Sequence, residues 1–256
     1  MKSIKEMISY LFPILIEARN GRVSPYLEVR KYKGKYILNS QTVNYSYGGL
    51  HLIFDQLFQK ISIQNFEFNN VLILGMGAGS IISLLNEKYG MDCAITAIEK
   101  DEVVIELAKK HFNIQRFKSL HIIHSDAFNY VAITENKYDL IISDLFIDGN
   151  VPEIFTSDGF LKNIKRISNE QCCFIYNKMT DHQVHKNEFI NLLNKFDQIF
   201  PGSEIHKLYA YNSENSLLYY NTLAISSKNL HLASENNSRN EFLLPNLKPT
   251  YGAYKS

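Results

Sequence analysis

The stretch Val71-Leu-Ile-Leu-Gly75-Met-Gly77-Ala-Gly79-Ser80 decides how this 256-residue chain is read. Val71 to Leu74 are four apolar residues between polar flanks and predict a short buried strand. Gly75, Gly77 and Gly79 follow at once. Ile81, Ile82, Leu84 and Leu85 then begin a helical pattern, with Ser80 near its start. Strand, glycine turn and helix in that order bring a ligand close to the backbone and aim a helix N-terminus at it. The next apolar run, Ala94 to Ile98, ends in Glu99, twenty-four residues after Gly75. A carboxylate there can accept hydrogen bonds from both hydroxyls of a ribose. The unit therefore predicts a nucleoside-containing ligand.

The third position after Gly77 is Ser80, so the G-x-G-x-x-G of dinucleotide enzymes is incomplete. This turns the reading from a nicotinamide or flavin cofactor towards an S-adenosylmethionine-type ligand. Residues 66–228 alternate strand and helix, the pattern of a mainly parallel sheet covered on both faces. The predicted strands are Val71–Leu74, Ala94–Ile98, Leu120–Ile123, Leu140–Ile142 and Gln171–Tyr176. Helices are predicted from Ser80, from an Asp101 cap, from Ser157 or Asp158, and from an Asp181 cap. Two last runs, Glu204–Tyr211 and Ser216–Ser226, flank Asn212–Asn215 and predict an antiparallel pair at the sheet edge. Five parallel strands with a terminal hairpin distinguish a methyltransferase-type sheet from a six-parallel-strand dinucleotide fold. The expected class is α/β: a Rossmann-like, S-adenosylmethionine-dependent methyltransferase fold with a small N-terminal β-hairpin domain.

That N-terminal domain covers residues 1–65. A short helix around Met7 and Leu11 precedes a strand from Ile14 to Ala18, and Asn20-Gly21 predicts a two-residue hairpin. Tyr26–Lys31 turns at Lys33-Gly34 and returns through Tyr36–Leu38, and Leu50–Ile61 has helical period. Residues 229–256 are polar and irregular and read as a C-terminal tail, with Phe242 to Leu244 available to pack on the body.

Hydrophobic residues make up 45% of the chain, enough for a sizeable core without disulfides or metal. The net charge of +1 gives no bulk electrostatic case for nucleic acid or an anionic membrane. Cys93, Cys172 and Cys173 lie in predicted buried strands, without a Cys-x-x-Cys or His-x-x-x-His pairing. They read as reduced core thiols in a cytoplasmic protein, with no metal site. No segment approaches the roughly 18 apolar residues of a membrane helix. Met7–Ile16 is short and interrupted by Pro13, so no signal peptide is expected.

In an open α/β sheet, ligands sit beyond the carboxyl ends of the strands. Polar residues predicted there are the loop Gly75–Gly79, Glu99, Asp126, Asp144 and Asp148. Glu99 reads as a ribose ligand in preference to a cap for the helix from Asp101. Asp126 has two open readings, a helix cap and a contact to an adenine amino group, with the backbone of Ala127 beside it. Asp144 precedes Leu145-Phe146, a poor helix start, so a catalytic or ligand role is preferred to capping. Asp148 precedes Gly149 and reads first as a turn residue. Tyr26, Tyr36, Tyr45 and Tyr47 read mainly as sheet-face packing, with room for one of them in a substrate pocket.

The order and spacing of these residues over roughly 24–225 resemble the spermidine synthase family of aminopropyltransferases, in its spermidine synthase-like branch. The matching segments are Gly75-Met-Gly-Ala-Gly79, Ile98-Glu99, Ser125-Asp126-Ala127, Tyr138-Asp139-Leu-Ile-Ile-Ser-Asp144 and Val151-Pro152-Glu-Ile-Phe-Thr156. The resemblance implies a sulfonium nucleoside on the glycine loop, its ribose on Glu99 and its adenine near Asp126. It implies that Asp144 receives the proton of an attacking amine, and that the protein acts in polyamine biosynthesis as a homo-oligomer. Two departures stand out. The family's loop commonly carries Asp where this chain has Ala78. The polyamine site usually has Gln and an acidic segment, where this chain has Val43-Asn44-Tyr45-Ser46-Tyr47-Gly48-Gly49-Leu50-His51, without acids, and with Gln41 close but out of step. The expectation is therefore a transferase alkylating a small amine from decarboxylated S-adenosylmethionine, with Asp144 as base and Asp148, Tyr47 and Gln41 as weaker substrate candidates. Methyl transfer from S-adenosylmethionine is the alternative favoured by Ala78. A non-catalytic nucleoside-binding protein is the third.

Overall fold

The computed structural model describes residues 7–40, 44–147, 149–180, 183–210 and 213–222. Gln41, Asp148, Asp181 and the tail from residue 229 lie outside the described residues.

Two sheets form. In the first, β1 (Ile14–Arg19), β2 (Leu27–Tyr32), β3 (Lys35–Ser40) and β4 (Asn44–Ser46) run antiparallel in chain order. The β2–β3 connection is the two-residue turn expected at Lys33-Gly34. Both residues have positive φ, 49° and 78°, as a primed hairpin turn requires. Asn20-Gly21 is not a two-residue hairpin: β1 ends at Arg19, and β2 resumes at Leu27. The loop between them is held from elsewhere. The Asp101 Oδ2 accepts the amides of Arg22 (2.8 Å) and Val23 (2.9 Å). Gly21 lies against that carboxylate so closely that a side chain would collide with it.

The second sheet has seven strands in the order β10-β11-β9-β8-β5-β6-β7. These are β5 (Asn70–Leu74), β6 (Ala94–Glu99), β7 (Leu120–His124), β8 (Tyr138–Ser143), β9 (Ser168–Met179), β10 (Glu204–Ala210) and β11 (Ser213–Asn221). β5 to β9 are mutually parallel, and β11 runs antiparallel to both of its neighbours, β9 and β10. Ser213–Asn215, expected to connect the last two strands, instead continues the ladder opposite Ala210, Tyr209 and Leu208. The Glu214 carboxylate takes the hydroxyls of Tyr209 and Thr180, so the polar run is satisfied inside a strand.

The continuous apolar runs are explained by burial on both faces. Val71, Ile73, Leu140, Ile142, Cys173 and Ile175 face one side. There they meet helix α1 (Gly49–Lys60), the short α2 (Ser80–Ser83) with its following π-turn, and part of α3 (Glu102–His111). Leu72, Leu74, Ile141, Cys172, Phe174 and Tyr176 face the other. They are covered by α4 (Ala127–Ile133), α5 (Asp158–Ile167) and α6 (Gln183–Ile199). The adjacent Cys172 and Cys173 thus point to opposite faces, and all three cysteines are buried free thiols.

The small sheet packs Leu27, Val29 and Leu38 on Val103, Val104, Leu107 and Phe112 of the α3 region, with Ala78 in the same cluster. Asp101 fixes this junction. It is 2% exposed, caps α3 through the Val103 amide (3.0 Å) and holds the β1–β2 loop. Asp101→Ala should therefore orphan three amides and cost about 2–4 kcal/mol. A urea melt should show the midpoint falling at constant slope, and a change under ~1 kcal/mol would show that the loop finds other acceptors.

Candidate active site

The carboxyl ends of the central strands bring four sequence-predicted positions to one edge. Across the sheet they run Asp126 after β7, Glu99 at the end of β6, Gly75 after β5 and Asp144 after β8. The order reverses between β5 and β8, the crevice where open α/β sheets bind ligands. Gly75 and Asp144 meet there. The Gly75 φ is +87°, and its missing side chain makes room for the Asp144 carbonyl. Glu99 and Asp144 sit two strand spacings apart across Gly75, ~10 Å.

The glycine loop carries its own hydrogen-bond accounting. The amides of Gly75 and Met76 donate to the Ile98 carbonyl, and that of Gly79 to the Met76 carbonyl. The Gly77 amide donates to Glu99 Oε2 (3.0 Å), and the Ala78 amide to Ser46 Oγ (2.9 Å). Five successive amides are thus taken by the protein. A pyrophosphate needs such amides free, so the loop does not suit a dinucleotide. It suits a nucleoside without phosphate.

Glu99 is 8% exposed and accepts the Gly77 and Asp101 amides (3.0 and 2.9 Å). Asp101, not Glu99, caps α3. A carboxylate has about four acceptor sites, so these two amides do not exhaust Glu99. Burial pushes its carboxyl up to about 6, against the pull of the Asp101 and Gly77 amides. Asp126 does cap α4, accepting the Phe128 (2.8 Å) and Asn129 (3.4 Å) amides, while Lys100 bridges Oδ2 at 2.8 Å. Burial raises its pKa, but Lys100 and the amides outweigh it and leave the group below its ordinary value. Ala127 is the first residue of α4 and is buried.

Asp144 is 8% exposed, and Asn177 is the hydrogen-bond partner of its carboxylate, through Nδ2 to Oδ1 at 2.9 Å. Burial pushes Asp144 up to about 7, with the Asn177 amide pulling weakly the other way. Asn177 was missed in the sequence. It follows the apolar run Cys172–Tyr176 on β9, and Tyr176 pairs with Ser143. A polar residue ending a buried strand was the available signal. Its Oδ1 is buried and has no partner among the described residues, an acceptor open to an incoming N–H or O–H. Tyr47 lies elsewhere: its ring stacks between Phe112 and His51, and its hydroxyl donates to the Gly79 carbonyl at 3.3 Å. Among the described residues no group of His, Cys, Asp and Glu could hold a metal ion, and no helix is long and apolar enough to cross a membrane.

Fold and site together define a Rossmann-like α/β protein with a crevice where the strand order reverses and a buried carboxylate beside it. The chain belongs to the spermine/spermidine synthase domain family, which matches residues 58–232. A polyamine aminopropyltransferase of Prochlorococcus marinus is 31% identical over 180 residues, 66% of this chain and 61% of that protein. An eEF1A lysine and N-terminal methyltransferase homolog of Drosophila melanogaster is 26% identical over 148 residues, 54% of this chain but 21% of that protein. The chain thus spans between a fifth and three fifths of these relatives. A probable spermidine synthase from Corynebacterium glutamicum superposes with TM-score 0.66 at 15% identity, covering 93% of this chain and 99% of that one. Human methyltransferase-like protein 13, in complex with SAH, gives TM-score 0.52 at 19% identity, covering 76% of this chain and 91% of that one. At these identities the structural likeness speaks for the fold alone.

The raised Asp144 pKa has a stability consequence. Its ordinary value is 3.8 and its folded value about 7, so the folded state binds the proton more tightly. The group's stabilising contribution is complete below about pH 4 and lost as pH rises through 7. Asp144→Asn keeps the Asn177 contact without the buried charge. It should melt higher than the wild type at pH 8, and the difference should vanish at pH 4. An equal difference at both pH values in a calorimetric scan would refute the burial argument.

Proposed function

We propose that this protein is a transferase that alkylates an amine from a sulfonium nucleoside, with Asp144 as general base. The carrying observation is the buried Asp144 carboxyl, which titrates near neutrality beside the glycine loop. The donor supplies an electrophilic carbon on a positively charged sulfur, already a good leaving group. The chain's residues do the rest. Glu99 offers its remaining acceptor capacity to the ribose hydroxyls, and the closely packed loop at Gly75–Gly79 admits the nucleoside. Asp126 and the Ala127 backbone flank the adenine end.

Free amines are mostly protonated at neutral pH, so the nucleophile must first give up a proton to free its nitrogen lone pair, which then forms the new carbon–nitrogen bond as the carbon–sulfur bond breaks and the sulfur leaves as a neutral thioether. Asp144 Oδ2 takes that proton, while Oδ1 stays on Asn177. A base titrating near 7 is matched to this task and is worth roughly 10²–10⁴ in rate. Holding the amine in line contributes a further entropic advantage. The unpartnered Asn177 Oδ1 is a second acceptor for the same amine.

Aminopropyl transfer from decarboxylated S-adenosylmethionine is the reading that family membership supports. Methyl transfer from intact S-adenosylmethionine has its own observation. Ala78 brings no carboxylate to the loop, and its side chain sits in the apolar cluster with Val103, Val104 and Phe112. An acid at that position would repel the carboxylate of the intact donor.

Calorimetric titration with both nucleosides separates the readings. Tighter binding of the decarboxylated form supports aminopropyl transfer, and tighter binding of the intact form supports methyl transfer. Binding of neither would refute both. Glu99→Ala should weaken the bound nucleoside by about 1–3 kcal/mol. In steady-state assays kcat/KM should rise with pH through about 7, and Asp144→Asn should lose at least 10²-fold in turnover with nucleoside affinity nearly kept. Full turnover by that variant would remove Asp144 from the chemistry.

A further inference from the structure

Two consecutive residues of the small sheet grip three consecutive residues of the glycine loop. Ser46 ends β4 and is 1% exposed; its Oγ accepts the Ala78 amide at 2.9 Å and the Ser80 hydroxyl at 3.1 Å. The Tyr47 amide donates to Ser80 Oγ at 2.7 Å, and the Tyr47 hydroxyl donates to the Gly79 carbonyl at 3.3 Å. Ser80 is itself 2% exposed. Tyr47 holds this geometry with φ of 60°, a left-handed conformation that is costly for a bulky residue. Such backbone persists only where its surroundings over-determine it. Here the hydrogen bonds and the stacked rings of His51 and Phe112 do so.

The five loop amides differ in where their acceptors come from. Ile98, Met76 and Glu99 belong to the same sheet and loop. Ser46 belongs to the other sheet, thirty-two residues earlier. Gly77 and Ala78 are neighbours, so Glu99 fixes one peptide plane and Ser46 fixes the next. A freed Ala78 amide would be buried without a partner and would turn to find one, carrying the Gly77 amide off Glu99.

We infer that Ser46 is a positioning residue for the sulfonium nucleoside: through Ala78 and Ser80 it holds the loop, and with it Glu99, in the donor-binding geometry. The inference rests on the donor reading above. It assigns Tyr47 to the loop and not to the acceptor. It also makes donor affinity depend on a sheet that supplies no ribose ligand.

The test compares wild type, Ser46→Ala and Ser80→Ala, using whichever of the two sulfonium nucleosides the wild type binds. Ser46→Ala should raise the donor Kd and donor KM about tenfold, equivalent to ~1.4 kcal/mol. The acceptor KM should stay within about twofold, whereas general loosening of the fold would move both. Ser80→Ala keeps the Ser46–Ala78 bond and should raise the donor Kd by only about threefold. By NMR, exchange of the Ala78 amide should accelerate in Ser46→Ala and stay slow in Ser80→Ala. A wild-type protein that binds the donor, with Ser46→Ala binding it equally well, overturns this inference and leaves the donor reading intact. If Ser46→Ala does not fold, an unchanged donor Kd in Ser80→Ala overturns it. A wild type that binds neither nucleoside overturns both.

Discussion

Each backbone amide from Gly75 to Gly79 must find an acceptor in a closely packed turn whose residues from Met76 onward are buried, and the molecule is arranged around that requirement. The turn that leaves β5 runs directly against the end of β8, where the Asp144 carbonyl occupies the space a side chain at residue 75 would need. Packed this tightly, the loop cannot leave amides to solvent. It draws acceptors from β6 through Ile98 and Glu99, from itself through Met76, and from the small sheet through Ser46. The same bonds that satisfy the loop hold the two sheets in their relative position. Asp101 does the equivalent work one turn further on, joining the α3 cap to the β1–β2 loop.

The carboxylates at the sheet edge divide by how fully they are compensated. Asp126 has two amides and an ammonium, and is held below its ordinary acidity range. Glu99 has backbone amides and no cation, and burial lifts it to about 6. Asp144 has a single neutral amide, from Asn177, and rises to about 7. The gradient follows depth of burial together with the compensating donors, and not the sequence context, since all three follow apolar strands. The least compensated group is the one suited to exchange a proton near neutral pH. Leaving it so costs stability, which is the usual trade at a reactive site.

Much of the fold was legible because its signals are local. Continuous apolar runs of four to six residues, each followed by a helical pattern, imply a parallel sheet buried on both faces. Asp101 and Ser157 announce their helices by type and position, and both cap them. The misreadings have a common cause. Asn20-Gly21 carries a turn dipeptide, but the loop conformation is set by a carboxylate eighty residues away. Ser213–Asn215 has loop composition, but its backbone is captured by the neighbouring strand. In both places a tertiary partner outweighs a local preference.

Residue order alone determined the strand, glycine turn, helix and following acid, and with them the family of fold and the edge on which a nucleoside would lie. Strand and helix periods and the missing side chains of glycine are properties of short segments, so sequence suffices to read them. Only the tertiary structure decided that Asn177 stands on Asp144, that Ser46 holds Ala78, that Tyr47 turns to the loop, and that Asp144 titrates near neutrality. Those outcomes depend on burial and on which distant groups meet, and neither is a property of any segment taken by itself.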